Sequence, residues 1–210
     1  MKYKIYSHRY AELLLSKKSE FASIYDELLD IIDKISDEEI VSKFEEIGKN
    51  SKSISITLST ILEEKLLQYN WHKEEEIFDN NNAFDVSGKG KRWTLDYYKN
   101  EIALEIAFNH EETTAWNIIK IPLASNPNKY KQKNIVKIGI IICATNQMKS
   151  AGGFDSSVGS FEKYQQYIDA MEPMVNTPLL LIGLHSPEEF KILHRKDQNR
   201  KVGKVRGTLL

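Results

Sequence analysis

The sequence predicts an α/β protein with a central mixed β-sheet flanked by helices, and three observations carry that prediction. Two short, nearly all-apolar, β-branched runs, IVKIGIIICA and PLLLIGL, have the composition of strands covered on both faces. A helical stretch from Ser160 to about Met174 lies between them, so this part reads strand, helix, strand, with a right-handed crossover. Upstream, Trp93 to His110 reads as the strands of a hairpin. In its second strand Ile102, Leu104, Ile106 and Phe108 form one apolar row, and Ala103, Glu105 and Ala107 the other.

The remaining elements follow in chain order. Ile24, Leu28, Ile31, Ile32 and Ile35 recur at helical spacing with acids between them, which predicts an amphipathic helix over 21–35. Ile54, Leu58, Ile61, Leu62, Leu66 and Tyr69 predict a second one. DNNNAFDVSGKGKRW is polar, carries two glycines and is locally basic at Lys89, Lys91 and Arg92, as in a solvated loop or one that approaches a phosphate. Asn109, followed three residues on by Glu112, suggests a capping box that opens a helix ending before Pro122, with Ala115, Trp116 and Ile119 facing inward. HSPEEF reads as another helix start, with Ser186 as cap and Pro187 in the first turn.

One domain is expected over 1–210, with a mainly helical part (1–75), an α/β core (76–185) and a basic C-terminal tail (186–210). Cys143 is the only cysteine, so no disulfide framework is expected. No apolar stretch approaches the roughly 20 residues that cross a bilayer, which predicts a soluble, cytoplasmic protein. The net charge of −1 conceals an asymmetry. Residues 1–112 carry 15 Lys+Arg against 23 Asp+Glu, whereas 113–210 carry 14 against 7. A basic half permits a groove that tracks phosphates. P-loop, dinucleotide and Cys/His metal motifs are missing, so no organic cofactor is expected.

Glu105 stands between two alanines on its strand face, which leaves space above the sheet, and Asp96 could join it across the hairpin. Two converging carboxylates suit Mg²⁺, a hard cation that prefers oxygen ligands and keeps several waters. Solvated acids on a hairpin would give the same spacing.

Taken in order, YSH at Tyr6 to His8, the helix 21–35, NWHKE, the Asp96 to Glu105 spacing, IGIIICATNQM, DSSVGSFE and PLLLIGL resemble the type II restriction endonucleases of the BamHI, BglII and BstYI group, within the PD-(D/E)XK fold. The resemblance implies Mg²⁺-dependent hydrolysis of double-stranded DNA at a specific sequence by a homodimer, with the helices near 21–35 and 55–69 as interface candidates. It implies that Asp96 and Glu105 hold the metal, and that Glu74, three residues after Trp71, holds a water there. Asn109 and His110, with Ser156 and Ser157, would read base edges. Lys91, Arg92, Lys201, Lys204 and Arg206 are candidate phosphate contacts. The chain departs from the pattern at Ala107, where the fold normally has Lys, Glu or Gln to position or deprotonate water. Glu74, His110 or the substrate phosphate could supply that function. Alternatively, the protein is a catalytically impaired DNA-binding relative.

Overall fold

The structure, a computed structural model, describes residues 1–78, 93–125, 134–197 and 200–207. In chain order its first elements are β1 (Tyr3–His8), α1 (Ala11–Lys17), α2 (Ser19–Asp33), α3 (Asp37–Ile47), α4 (Ser55–Gln68) and β2 (His72–Glu76). β3 (Thr94–Lys99), β4 (Ile102–Ala107), α5 (Thr114–Ser125), β5 (Ile138–Ala144), α6 (Asn146–Ala151) and α7 (Phe161–Ala170) follow. β6 (Leu179–Leu184), β7 (Phe190–Asp197) and β8 (Arg200–Gly207) complete the set.

The two apolar runs become β5 and β6, buried along their whole length and paired in parallel, from Gly139 opposite Leu179 to Ala144 opposite Leu184. They occupy the middle of a six-stranded mixed sheet ordered β1-β6-β5-β4-β3-β2. β4 runs parallel to β5, whereas β1, β3 and β2 are each antiparallel to the strand inward of them.

Strand alternation divides the core into two layers. Ile102, Leu104, Ile140, Ile142, Leu180 and Ile182 pack with residues of α1 to α4. Ala103, Ala107, Ile141, Cys143 and Leu181 pack with Ile118 and Ile121 of α5 and with Phe161, Tyr164 and Ile168 of α7. The stripes predicted for α2 and α4 lie in the first layer, and their buried members Leu28, Ile32, Leu58 and Leu62 are consumed by the protomer's own core. Any subunit contact by α4 must use its other face, where Ile56 and Leu67 are exposed.

Several local expectations are corrected. β1, α1, α3 and the short α6 are not anticipated from the sequence, and α7 stops at Ala170. Ser186 and Pro187 begin no helix: the amides of Glu188 and Glu189 both donate to Asp37 Oδ2, each at 2.8 Å, and the chain passes directly into β7, where Phe190 pairs with Gly207. The basic tail forms an antiparallel ribbon, β7–β8. Pro122 lies inside α5, which continues to Ser125. Proline removes one helical hydrogen bond, but the buried contacts of Ile121 and Ala124 hold the last turn in place. The buried face of α5 carries Asn117, Ile118, Lys120 and Ile121, while Ala115, Trp116 and Ile119 are only half-buried. Among the described residues no helix is long and apolar enough to cross a membrane.

Candidate active site

β3 and β4 are joined by Asn100 and Glu101, both at positive φ (44° and 65°), the backbone of a two-residue turn whose twist matches the strands. The ladder runs from Lys99 opposite Ile102 to Tyr97 opposite Leu104. Beyond it, side chains replace main-chain pairing. The Asp96 amide donates to Glu105 Oε1 at 3.2 Å, and the Ile106 amide donates to Asp96 Oδ2 at 3.1 Å. Each carboxylate thus satisfies a backbone amide where the strands part, and the two are held in a reciprocal clasp. The sequence-predicted pair is therefore brought together.

The space expected above Glu105 is not open, because α5 covers it. Lys120 contacts Glu105 Oε2 and lies 3.4 Å from Asp96 Oδ1, with its side chain 7% exposed and that of Glu105 1%. The close approach of α5 depends on Gly139 of β5, where a Cβ would come within 2.5 Å of Ile121, the residue after Lys120. Burial, reinforced by the charge of Asp96 and opposed by Lys120, pushes the Glu105 carboxyl up to about 8. Asp96 is 40% exposed and forms the open side of the pair. Sequence reasoning missed Lys120. The only signal was a cation within the apolar helix pattern of NIIKIP, in the turn before the proline.

Glu74 lies on the edge strand. β2 pairs His72 with Tyr98, Lys73 with Tyr97, Glu75 with Leu95 and Glu76 with Thr94, which leaves Glu74 across from Asp96. Its φ of 54° breaks the strand there, a strained backbone for a residue other than glycine. Trp71 anchors this strand by donating from Nε1 to Glu27 Oε1 of α2 at 3.0 Å, and Lys99 also binds Glu27. Glu74 is exposed. Among the described residues no three His, Cys, Asp or Glu side chains converge as a metal cage, so the site is the Asp96–Glu105 pair with Glu74 as its neighbour in register. Two carboxylates still fit a hard cation that fills its other positions with water or phosphate oxygens.

β4 and β5 are parallel, so the loops after them emerge at the same end of the sheet, beside the carboxylates. The Glu111 amide donates to the Ser157 carbonyl at 2.7 Å, the Gly159 amide donates to the Asn109 carbonyl at 3.1 Å, and His110 bridges to Val158. Asn109, His110, Ser156 and Ser157 are exposed along this joined edge. The expected capping box does not form. A 3₁₀ turn, Glu111–Thr113, precedes α5, and Asn109 Oδ1 accepts from Thr113 Oγ1 (2.8 Å) and Asn117 Nδ2 (3.3 Å) instead.

The ribbon is anchored next to this edge, with the Gly203 amide on the Ser51 carbonyl (2.9 Å) and His194 Nε2 on the Gly153 carbonyl (3.0 Å). Its register pairs Lys191 with Arg206, Leu193 with Lys204, and Lys196 with Lys201. Strand alternation therefore places Lys204 and Arg206 on one face with Lys191 and Arg195, and Lys201 on the other. Lys91 and Arg92 lie outside the described residues, as does most of the loop that carries them.

Compared with known proteins, the chain matches no curated protein by sequence. It is similar in structure to restriction endonuclease BglII complexed with a DNA 16-mer, with TM-score 0.67 and 16% identity over 99% of this chain and 100% of that one. Free BglII gives TM-score 0.54 and 14% identity over 98% and 92%. The family model for restriction endonuclease BglII/BglIII matches residues 3–184, from the first residue of β1 to the last of β6. The chain therefore belongs to the BglII/BglIII restriction endonuclease family and is a site-specific deoxyribonuclease.

Proposed function

We propose that the protein cleaves a specific short duplex sequence with Mg²⁺, and that Asp96 and Glu105 hold the ion. The observation that carries this reading is the clasp of the two carboxylates where the β3–β4 ladder opens, at the end of the sheet that also carries Asn109, His110, Ser156 and Ser157. A divalent cation bound there supplies Lewis-acid polarisation of the scissile phosphate and acidifies water. Glu74, opposite Asp96, contributes a further carboxylate once substrate is in place. Asn109 and His110 with Ser156 and Ser157 read base edges from two joined loops. Phosphates are contacted by Lys201, Lys204 and Arg206 of the ribbon and by Lys91 and Arg92.

The same reading places the chain with BamHI and BstYI in the PD-(D/E)XK nucleases, as a single cytoplasmic domain over 1–210. It acts as a homodimer, because a two-fold pair of sites matches the two strands of a palindrome. Incubating the purified protein with supercoiled plasmid and Mg²⁺ tests the proposal. Discrete linear fragments whose sequenced ends share one site are expected. Undigested plasmid, or a smear without a common end, would overturn it.

A further inference from the structure

The ammonium of Lys120 stands where a cation shared by both carboxylates would stand: it touches Glu105 Oε2 and is 3.4 Å from Asp96 Oδ1. Ala107 is fully buried, so β4 offers no polar side chain beyond Glu105 on that face. The Gly139–Ile121 contact holds α5 close enough for a lysine, two turns into the helix, to take this position.

We propose that Lys120 is the resident counter-ion of the metal-free site and a positioning residue of the loaded one, an inference that rests on Asp96 and Glu105 as the ligand pair. A hard divalent ion needs carboxylate oxygens at about 2.0 to 2.6 Å, and an ammonium already on Glu105 competes for them. Entry of the ion therefore requires Lys120 to release Glu105. Its flexible four-carbon stem lets the ammonium move while the helix stays in place. The open direction is toward half-exposed Asp96, which is the substrate side. There the ammonium aligns a phosphate oxygen or the attacking water by hydrogen bonding. A cation from α5 thus stands in for the side chain missing at Ala107. The same lysine gives the buried Glu105 a fixed partner in the folded, metal-free protein.

The test compares wild type with Lys120→Met and Lys120→Gln in three measurements: Ca²⁺ affinity by calorimetry without DNA, melting temperature with and without Ca²⁺, and single-turnover cleavage at saturating Mg²⁺. Both variants are expected to melt lower without the ion, to regain more stability with it than wild type does, and to bind it at least several-fold more tightly. Their cleavage rate should nonetheless fall by about 10²- to 10³-fold, the loss typical of one positioned donor. Unchanged or weaker ion affinity in the variants would overturn the exchange. Cleavage at the wild-type rate under saturating Mg²⁺ would overturn the positioning role. If Met fails to fold, the near-isosteric polar Gln variant decides. Asp96→Asn and Glu105→Gln are titrated alongside, and if both bind Ca²⁺ as wild type does, the ligand pair itself is wrong and this inference falls with it.

Discussion

The β3–β4 hairpin and the β7–β8 ribbon are both two-stranded antiparallel units, yet they handle charge in opposite ways. In the hairpin Asp96 and Glu105 are each tied to a named amide and to Lys120, under the cover of α5. In the ribbon seven Lys and Arg residues face one acid, Asp197, and all seven are exposed. Burial converts charge into geometry, because a desolvated carboxylate must have a fixed partner. Exposure leaves charge as a field that is additive, screened by salt and tolerant of position. The buried hairpin suits chemistry at one bond, and the ribbon suits attraction to a polyanion.

The largest expected effect breaks the buried side. Asp96→Asn and Glu105→Gln should each abolish cleavage in a plasmid assay while preserving or tightening DNA binding in a mobility-shift assay, since each takes an ionisable carboxylate from the proposed metal site and leaves the base-reading loops intact. Near wild-type cutting by either would end the metal assignment. Next is Gly139→Ala, which presses a methyl against Ile121 and should destabilise the fold by roughly 1 to 3 kcal/mol in denaturant melts. Cleavage should drop with it, because Lys120 rides on the displaced helix.

The pH dependence tests burial more directly. The Glu105 carboxyl is raised from its ordinary 4.5 to about 8, so the folded protein keeps a proton that the unfolded chain has lost. Its contribution is therefore to make stability fall as pH climbs from about 4.5 to about 8, with a slope approaching about 1.4 kcal/mol per pH unit. Glu105→Gln should flatten that part of the profile in urea titrations at several pH values. Metal affinity should rise over the same window, because the ion binds the deprotonated form.

The ribbon offers a gentler perturbation. Lys204→Gln with Arg206→Gln should weaken binding to every sequence and flatten its salt dependence by about 0.9 per lost phosphate contact. Lys201→Gln, on the other face, should flatten the slope by one contact more, and an unchanged slope in that variant would remove Lys201 from the phosphate contacts. The smallest expected change is at the hairpin turn, where Glu101→Gly relieves a left-handed residue but frees the unfolded chain and gives up the ion pair with Lys137, so the net gain in thermal melts should be under about 1 kcal/mol.

Much of the sheet was legible because its signals are local. β5 and β6 announce themselves as apolar β-branched runs, and the alternation around Glu105 assigns both faces of β4 correctly. Local signals misled where the expected partners were taken up otherwise. After Ser186 the chain runs into β7, with the amides of Glu188 and Glu189 on Asp37 of α3, and the side chains of Thr113 and Asn117 take the Asn109 oxygen expected to cap α5. Glu74 was reachable through its position after Trp71, but its left-handed backbone opposite Asp96 was not.

By itself the sequence determined the central strands, their buried faces and the spacing of the two carboxylates, because strand periodicity and residue chemistry act over a few neighbours; the two loops beside the pair were pointed to by the family resemblance. Tertiary structure alone decided that Lys120 closes over that pair. Lysine and glutamate are 15 positions apart on different elements, and their contact exists only because a glycine on a third strand lets α5 settle onto the sheet. It also decided which cations of the two ribbon strands share a face, since that depends on the β7–β8 pairing register, which brings Lys191 opposite Arg206 and Lys196 opposite Lys201.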